Sequence, residues 1–234
     1  MRGLCVTLFG TALTSTVAMG AYIPVDFTAQ VNMSRFDALV ANGSTFPAGA
    51  QTFSGVPFAM AGETSPSDPW AWNAHVAALA AGGDVGQTVS VTIPVNQFGV
   101  TDAYTLMSTY WGQGGPASYV SLTFTATNGV AATVPLIGNS DIRDYNQFFW
   151  TNSLNNVTSI EVLNNGLGQR VDMQRFALPS AFANETLLSI TITDTGARNF
   201  QRAFISGLTV QIPSPAPLAL AGGFVALTCF RRRR

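Results

Sequence analysis

Eight short runs rich in β-branched and aromatic residues, separated by turn signals, limit what this chain can fold into. They cover residues 85–94, 103–110, 119–126, 131–137, 159–163, 169–178, 187–193 and 202–212. Several alternate with period two. In Val89-Ser90-Val91-Thr92-Ile93 and in Leu188-Ser189-Ile190-Thr191-Ile192 the apolar side chains share one face, as in a strand with one buried side. Asn128-Gly129 joins two such runs, and both residues accept positive φ, so a two-residue hairpin is expected there. Asn164-Asn165-Gly166 is a second expected turn. No βαβ rhythm and no fixed-period repeat is visible. Eight or nine strands in one body of this size predict an all-β, two-sheet β-sandwich. Residues 70–81 (WAWNAHVAALAA) break the pattern. They are Ala-rich, follow Asp68-Pro69 and run into Gly82-Gly83, so one short helix is predicted, capped by Asp68. Residues 27–40 fit helix or strand.

Charge narrows the function. The chain has no Lys, and between Tyr22 and Gln211 six Arg stand against twelve acids, a net of −6. An acidic body is a poor partner for nucleic acid, whose binding rests on phosphate neutralisation. The two cysteines, Cys5 and Cys229, lie in the terminal apolar segments, so the body has neither disulfide nor thiol nucleophile.

Both ends read as addresses. Residues 1–20 have the order of a signal peptide: Arg2, an apolar run over residues 4–17, then Ala18-Met19-Gly20 with small residues at the −3 and −1 positions. The other end has three parts. Ile212-Pro213-Ser214-Pro215-Ala216-Pro217 cannot continue a strand or helix; residues 218–230 are apolar and uncharged; Arg231, Arg232, Arg233 and Arg234 close the chain. Thirteen residues at ~1.5 Å span about 20 Å, short of a ~30 Å hydrocarbon core, but the Pro-rich flank or local thinning extends the reach. The arginines stay cytoplasmic under the positive-inside rule, which leaves the body outside.

This tail resembles the PEP-CTERM class of sorting signals, and most closely the variant whose motif runs Val-Pro-Leu-Pro-Ala, with Ile212-Pro213-Ser214-Pro215-Ala216 standing in its place. The tail lacks the Glu of the eponymous motif and has Ser for the variant's Leu. The resemblance covers residues 212–234 and implies processing by an exosortase, a membrane-embedded cysteine protease of Gram-negative bacteria that make exopolysaccharide. It divides the chain into a signal peptide (1–20), a sandwich domain (21–211) and a sorting tail (212–234). The body is similar to the jelly rolls of galactose-binding-like domains. That likeness lies in Gly55-Val56-Pro57-Phe58, Tyr104-Thr105-Leu106 ahead of Trp111-Gly112, residues 124–129, and Ile205-Ser206-Gly207-Leu208-Thr209-Val210. It implies a fold that often binds sugars and sometimes holds a structural calcium ion.

Residues 139–149 (NSDIRDYNQFF) are the most polar-aromatic stretch. Asp141, Asp144 and Asn146 offer oxygens, Arg143 a planar donor fork and Tyr145 a stacking face, the residue types that recognise sugar hydroxyls and the apolar side of a ring. The same residues would equally pair with one another inside a loop. The regular D-x-D-x-D-G calcium spacing is missing, and no metal or cofactor is expected. Arg170, Asp172 and Gln174 share a strand face by period two, forming either a polar binding face or a cross-strand ion pair. Trp111, beside Gly112, is the best loop-borne aromatic; Trp70, Trp72 and Trp150 fit a core better.

Hydrolysis has little to stand on. His75 is the single histidine, and no G-x-S-x-G elbow, P-loop or CxxC occurs. Asp141 and Asp144 could nominally serve a carboxylate-dependent glycosidase. The expectation is a non-catalytic, exported surface or matrix protein that contacts exopolysaccharide. Its rivals are a secreted glycoside hydrolase and a self-associating structural component of the envelope or biofilm.

Overall fold

The computed structural model describes residues 20–34, 46–62, 65, 67–83, 85–110, 118–146, 153–166, 168–197 and 201–213. The expected signal helix and tail helix, Pro215, Ala216, Arg231, Arg232, Arg233 and Arg234, and the tryptophans Trp111 and Trp150 lie outside these residues.

In chain order the elements are β1 (Ala21–Pro24), β2 (Met33–Ser34), β3 (Gly49–Phe53), β4 (Val56–Met60), β5 (Pro69–Asn73), α1 (Ala74–Ala80) and β6 (Val89–Phe98). There follow β7 (Asp102–Tyr110), β8 (Ser118–Ala126), β9 (Ala131–Ile137), β10 (Ser159–Asn164), β11 (Arg170–Ala177), β12 (Thr186–Asp194) and β13 (Arg202–Ile212). The protein is all-β, with antiparallel sheets and one short α-helix among the described residues. The large sheet runs β10-β11-β7-β13-β5-β2, with β1 also on β13; the smaller runs β6-β12-β8-β9. Pro94 and Pro135 sit in β6 and β9, the two edges of the smaller sheet, where a missing N–H breaks no ladder bond.

The main core lies between these sheets. Ile93, Leu122, Phe124, Ile190 and Ile192 of the smaller sheet meet Ala103, Met107, Ala203, Ile205, Leu208 and Val210 of the larger. In β13 the inward set skips from Ile205 to Leu208. An extra residue at the Ile205/Gly207 register shift resets the alternation and keeps both halves facing the core.

A second core covers the other face of the large sheet. Phe53, Val56, Phe58 and Met60 of the β3–β4 hairpin pack there with Phe46, Trp70, Leu106 and Phe204. The expected two-sheet body therefore carries a third, two-stranded layer. Gly207 makes the approach possible: a Cβ there would sit 2.7 Å from the Leu106 side chain and 3.0 Å from that of Phe58.

The helix starts later than its composition predicts. Residues 69–73 are strand, because Trp70, Ala71, Trp72 and Asn73 are buried on both faces, where a strand between two cores holds them. Asn73, not Asp68, is the cap; its Oδ1 accepts from the backbone N–H of His75 (2.7 Å) and Val76 (3.3 Å). Asp68 instead accepts from the Ser65 N–H at 2.8 Å in a local turn. The ambiguous residues 27–40 contain a 3-10 turn at Thr28–Gln30 and β2, and residues 35–40 lie outside the described set.

Candidate functional site

β7 and β11 pair only from Met173↔Leu106 to Ala177↔Asp102. Beyond Leu106 they part, and residues 142–146 fill the gap. Thr109 N–H donates to Arg143 O (2.9 Å), Tyr145 N–H to Thr109 O (3.0 Å), and Arg170 N–H to Tyr145 O (2.9 Å). This wedge carries most of the predicted site into the interior.

The side chains of the wedge face one another. Arg143 donates from Nε and Nη2 to the two Asp172 oxygens (2.8 and 2.6 Å), and from Nη2 to Glu161 Oε2 (2.7 Å). Arg170 Nε donates to Asp144 O (2.9 Å), and Asp144 Oδ1 accepts from Asn146 N–H (2.6 Å). Arg143, Asp144, Tyr145, Asn146, Arg170 and Asp172 are all buried, Asp172 completely. Tyr145 stacks on Tyr110 (6.2 Å between ring centres) and meets Phe46 and Phe204 edge-on. Asp141 is half-buried and organises loops: its oxygens accept from Ile137 N–H (2.9 Å) and Asn155 Nδ2 (3.0 Å). The structure thus brings six of the eight predicted residues together, leaves Asp141 nearby, and does not describe Trp111.

Burial pushes the Asp172 carboxyl above the usual carboxylate range, and the Arg143 bonds pull it part of the way back. Burial also works against the Arg143 charge, but Asp172 and Glu161 more than offset it and its pKa rises. The pKa of Arg170 falls, through burial and the neighbouring Arg143.

A second buried ion pair escaped the sequence reading. Arg202 Nη1 lies 3.0 Å from Asp194 Oδ1, with both side chains fully buried. Arg202 Nη1 also donates to Gln87 O (2.9 Å), while Asp194 accepts from the Gly196 and Ala203 N–H groups, both at 2.8 Å. The pair joins the start of β13 to the end of β12, one strand from each sheet. A signal for it existed: period two puts Asp194 on the inward face of Ile190 and Ile192.

Two clefts open beside Arg175. One, of about 190 Å³, lies between β9 and β11 and is lined by Asp141, Thr158, Gln174 and Phe176. The other, of about 240 Å³, is lined by Tyr22, Ser54, Tyr104, Val157 and Met173. Burial raises the Tyr104 phenol to about 12, and does the same to Tyr145. A raised folded-state value means stability that is intact below the ordinary phenol value of about 10 and is lost as pH climbs through about 12. In an ultraviolet titration of the folded protein these two phenols are expected to ionise near pH 12 and not near 10. Ionisation of every tyrosine near pH 10 in the folded protein would contradict this burial.

Among the described residues no helix is long and apolar enough to cross a membrane, and no cluster of three or more His, Cys, Asp or Glu side chains is arranged to hold a metal. No protein-family model matches the chain, and no curated protein matches it.

Proposed function

We propose that this chain is an exported bacterial surface or extracellular-matrix protein, sorted by an exosortase-type protease and carrying a non-catalytic jelly roll that contacts exopolysaccharide. The observation that carries the proposal is the pairing of Ala21 with Ile212. Paired residues on antiparallel strands lie ~5 Å apart. Gly20 and Pro213, the described residues next to the two expected targeting segments, therefore lie at the same end of the body, an arrangement that suits two segments bound for one membrane. After cleavage behind Gly20, β1 remains whole.

The jelly-roll reading draws support from strand order. Taking β1, β6, β7, β8, β9, β11, β12 and β13 as strands one to eight, the sheets run 1-8-3-6 and 2-7-4-5, the order of two interleaved Greek keys. The non-catalytic reading draws support from Asp141 and Asp144, the carboxylates a glycosidase would use. Both are committed to backbone N–H groups, and Asp144 is only 1% exposed.

Mass spectrometry of the protein recovered from the outside of a producing cell tests the address. The expected species begins at Ala21 and has lost the terminal arginines. A soluble cellular pool of intact chain, with both terminal segments retained and none outside, would overturn the proposal.

A further inference from the structure

We propose that the cleft between Tyr22, Tyr104, Val157 and Arg175 binds one ring of a neutral sugar. This deepens the exopolysaccharide reading and rests on it. The cleft lies on the outer face of the large sheet, beside the Ser54 tip of the β3–β4 hairpin. Tyr104 and Arg175 are direct cross-strand partners, and Tyr22 meets Tyr104 edge-on at 5.7 Å.

The polar part of the cleft is already organised. Arg175 donates from Nε to Asp102 Oδ1 (2.9 Å), and its Nη2 lies 2.8 Å from the same oxygen, which fixes one edge of the guanidinium. The side chain is still 55% exposed and lines the cleft. Arg175 and Asp102 nearly cancel each other's charge, so the cleft has no net field for an anion or a cation. Arg175 leaves a donor at the cleft, next to the Tyr22 and Ser54 side chains and the apolar Met173 and Ile160. A pyranose matches this set, with vicinal hydroxyls along its edge and C–H groups on its face.

The rim is rigid and apolar. Asn155 Oδ1 accepts from the N–H groups of Val157, Thr158 and Ser159 (2.8, 2.8 and 3.1 Å), and its Nδ2 donates to Thr158 Oγ1 and Asp141 Oδ1. This knot holds Val157 out, 82% exposed, at the mouth of the cleft. Holding a bare apolar side chain in water is unfavourable by itself, and covering it with the next sugar unit removes that penalty.

The test titrates the mature exported protein with gluco-, galacto-, manno- and xylo-oligosaccharides, with an oligomer of hexuronic acid, and with exopolysaccharide isolated from the producing cells. Binding of a neutral oligosaccharide is expected, weakened at least about tenfold by Arg175→Ala and by Val157→Asp. Val157 is a surface residue, so Val157→Asp should leave the thermal midpoint unchanged and the loss cannot be assigned to unfolding. Binding that survives both substitutions would overturn the cleft while sparing the exopolysaccharide reading. Binding of the hexuronate alone would overturn the neutral class. Binding to nothing would overturn the site and the exopolysaccharide reading together, leaving the export proposal to the terminal cleavages.

Discussion

Asp172→Ala is expected to lower unfolding stability by about 3–5 kcal/mol, measured by urea denaturation. Asp172 is fully buried and receives both Arg143 donors. Removing it leaves Arg143 and Arg170 as two buried cations in each other's field, with Glu161 at the edge and Asp144 as the remaining counter-charges. A buried ion pair adds little net stability, because desolvation consumes most of the attraction; breaking it is what is expensive. The double variant Arg143→Met/Asp172→Leu removes both charges and should therefore be less destabilised than Asp172→Ala alone. A loss below about 1 kcal/mol for the single variant, the size seen for exposed pairs, would show that water reaches the wedge.

The same wedge shows what a sequence can and cannot disclose. The runs rich in β-branched and aromatic residues disclosed the strands: β8 and β9, each with one more buried face, alternate, and β8, β9, β10 and β13 lie within a residue of their expected limits. Asn128 and Gly129 take the positive φ their residue types accept (56° and 74°), and the β8–β9 hairpin follows. The β3–β4 hairpin was not anticipated. It turns at Ser54 and Gly55, also at positive φ, without the Asn-Gly signature. At the site, residue type alone could not tell a sugar-facing loop from an internal ion pair, since both need Arg, Asp and Tyr. What separates them is burial, set by contacts between residues 143 and 172 that no local pattern encodes. Asp141 and the Val157 rim of the Arg175 cleft meet through Asn155, again across segments distant in sequence. Trp70 was misplaced for a related reason. Alanines nearby raise helix propensity, but two flanking cores decide in favour of strand.

That misplaced tryptophan supports the second large effect, a loss of about 3–5 kcal/mol for Trp70→Ala. Trp70 has no solvent exposure and stacks on Phe46 at 4.8 Å, with Phe204 at 6.0 Å. Its Nε1 donates to Pro47 O at 2.9 Å, which ties the chain ahead of the β3–β4 hairpin to β5. Truncation to Ala removes the buried ring, opens a cavity between the large sheet and its outer layer, and orphans the Pro47 carbonyl. Trp70→Phe keeps much of the volume and the stacking but not the donor, so its loss should be nearer 1–2 kcal/mol, roughly the value of one buried hydrogen bond plus imperfect packing. The thermal midpoint of the Ala variant should fall by roughly 10 °C for a domain of this size. If residues 70–73 instead lay on a helix, as their composition alone predicts, and Trp70 stood on its solvent face, both substitutions would change stability by under about 1 kcal/mol and Ala would be the milder of the two, because Ala is the better helix former. The order of the two variants therefore discriminates between strand in a double core and helix at a surface, independently of the absolute size of either loss.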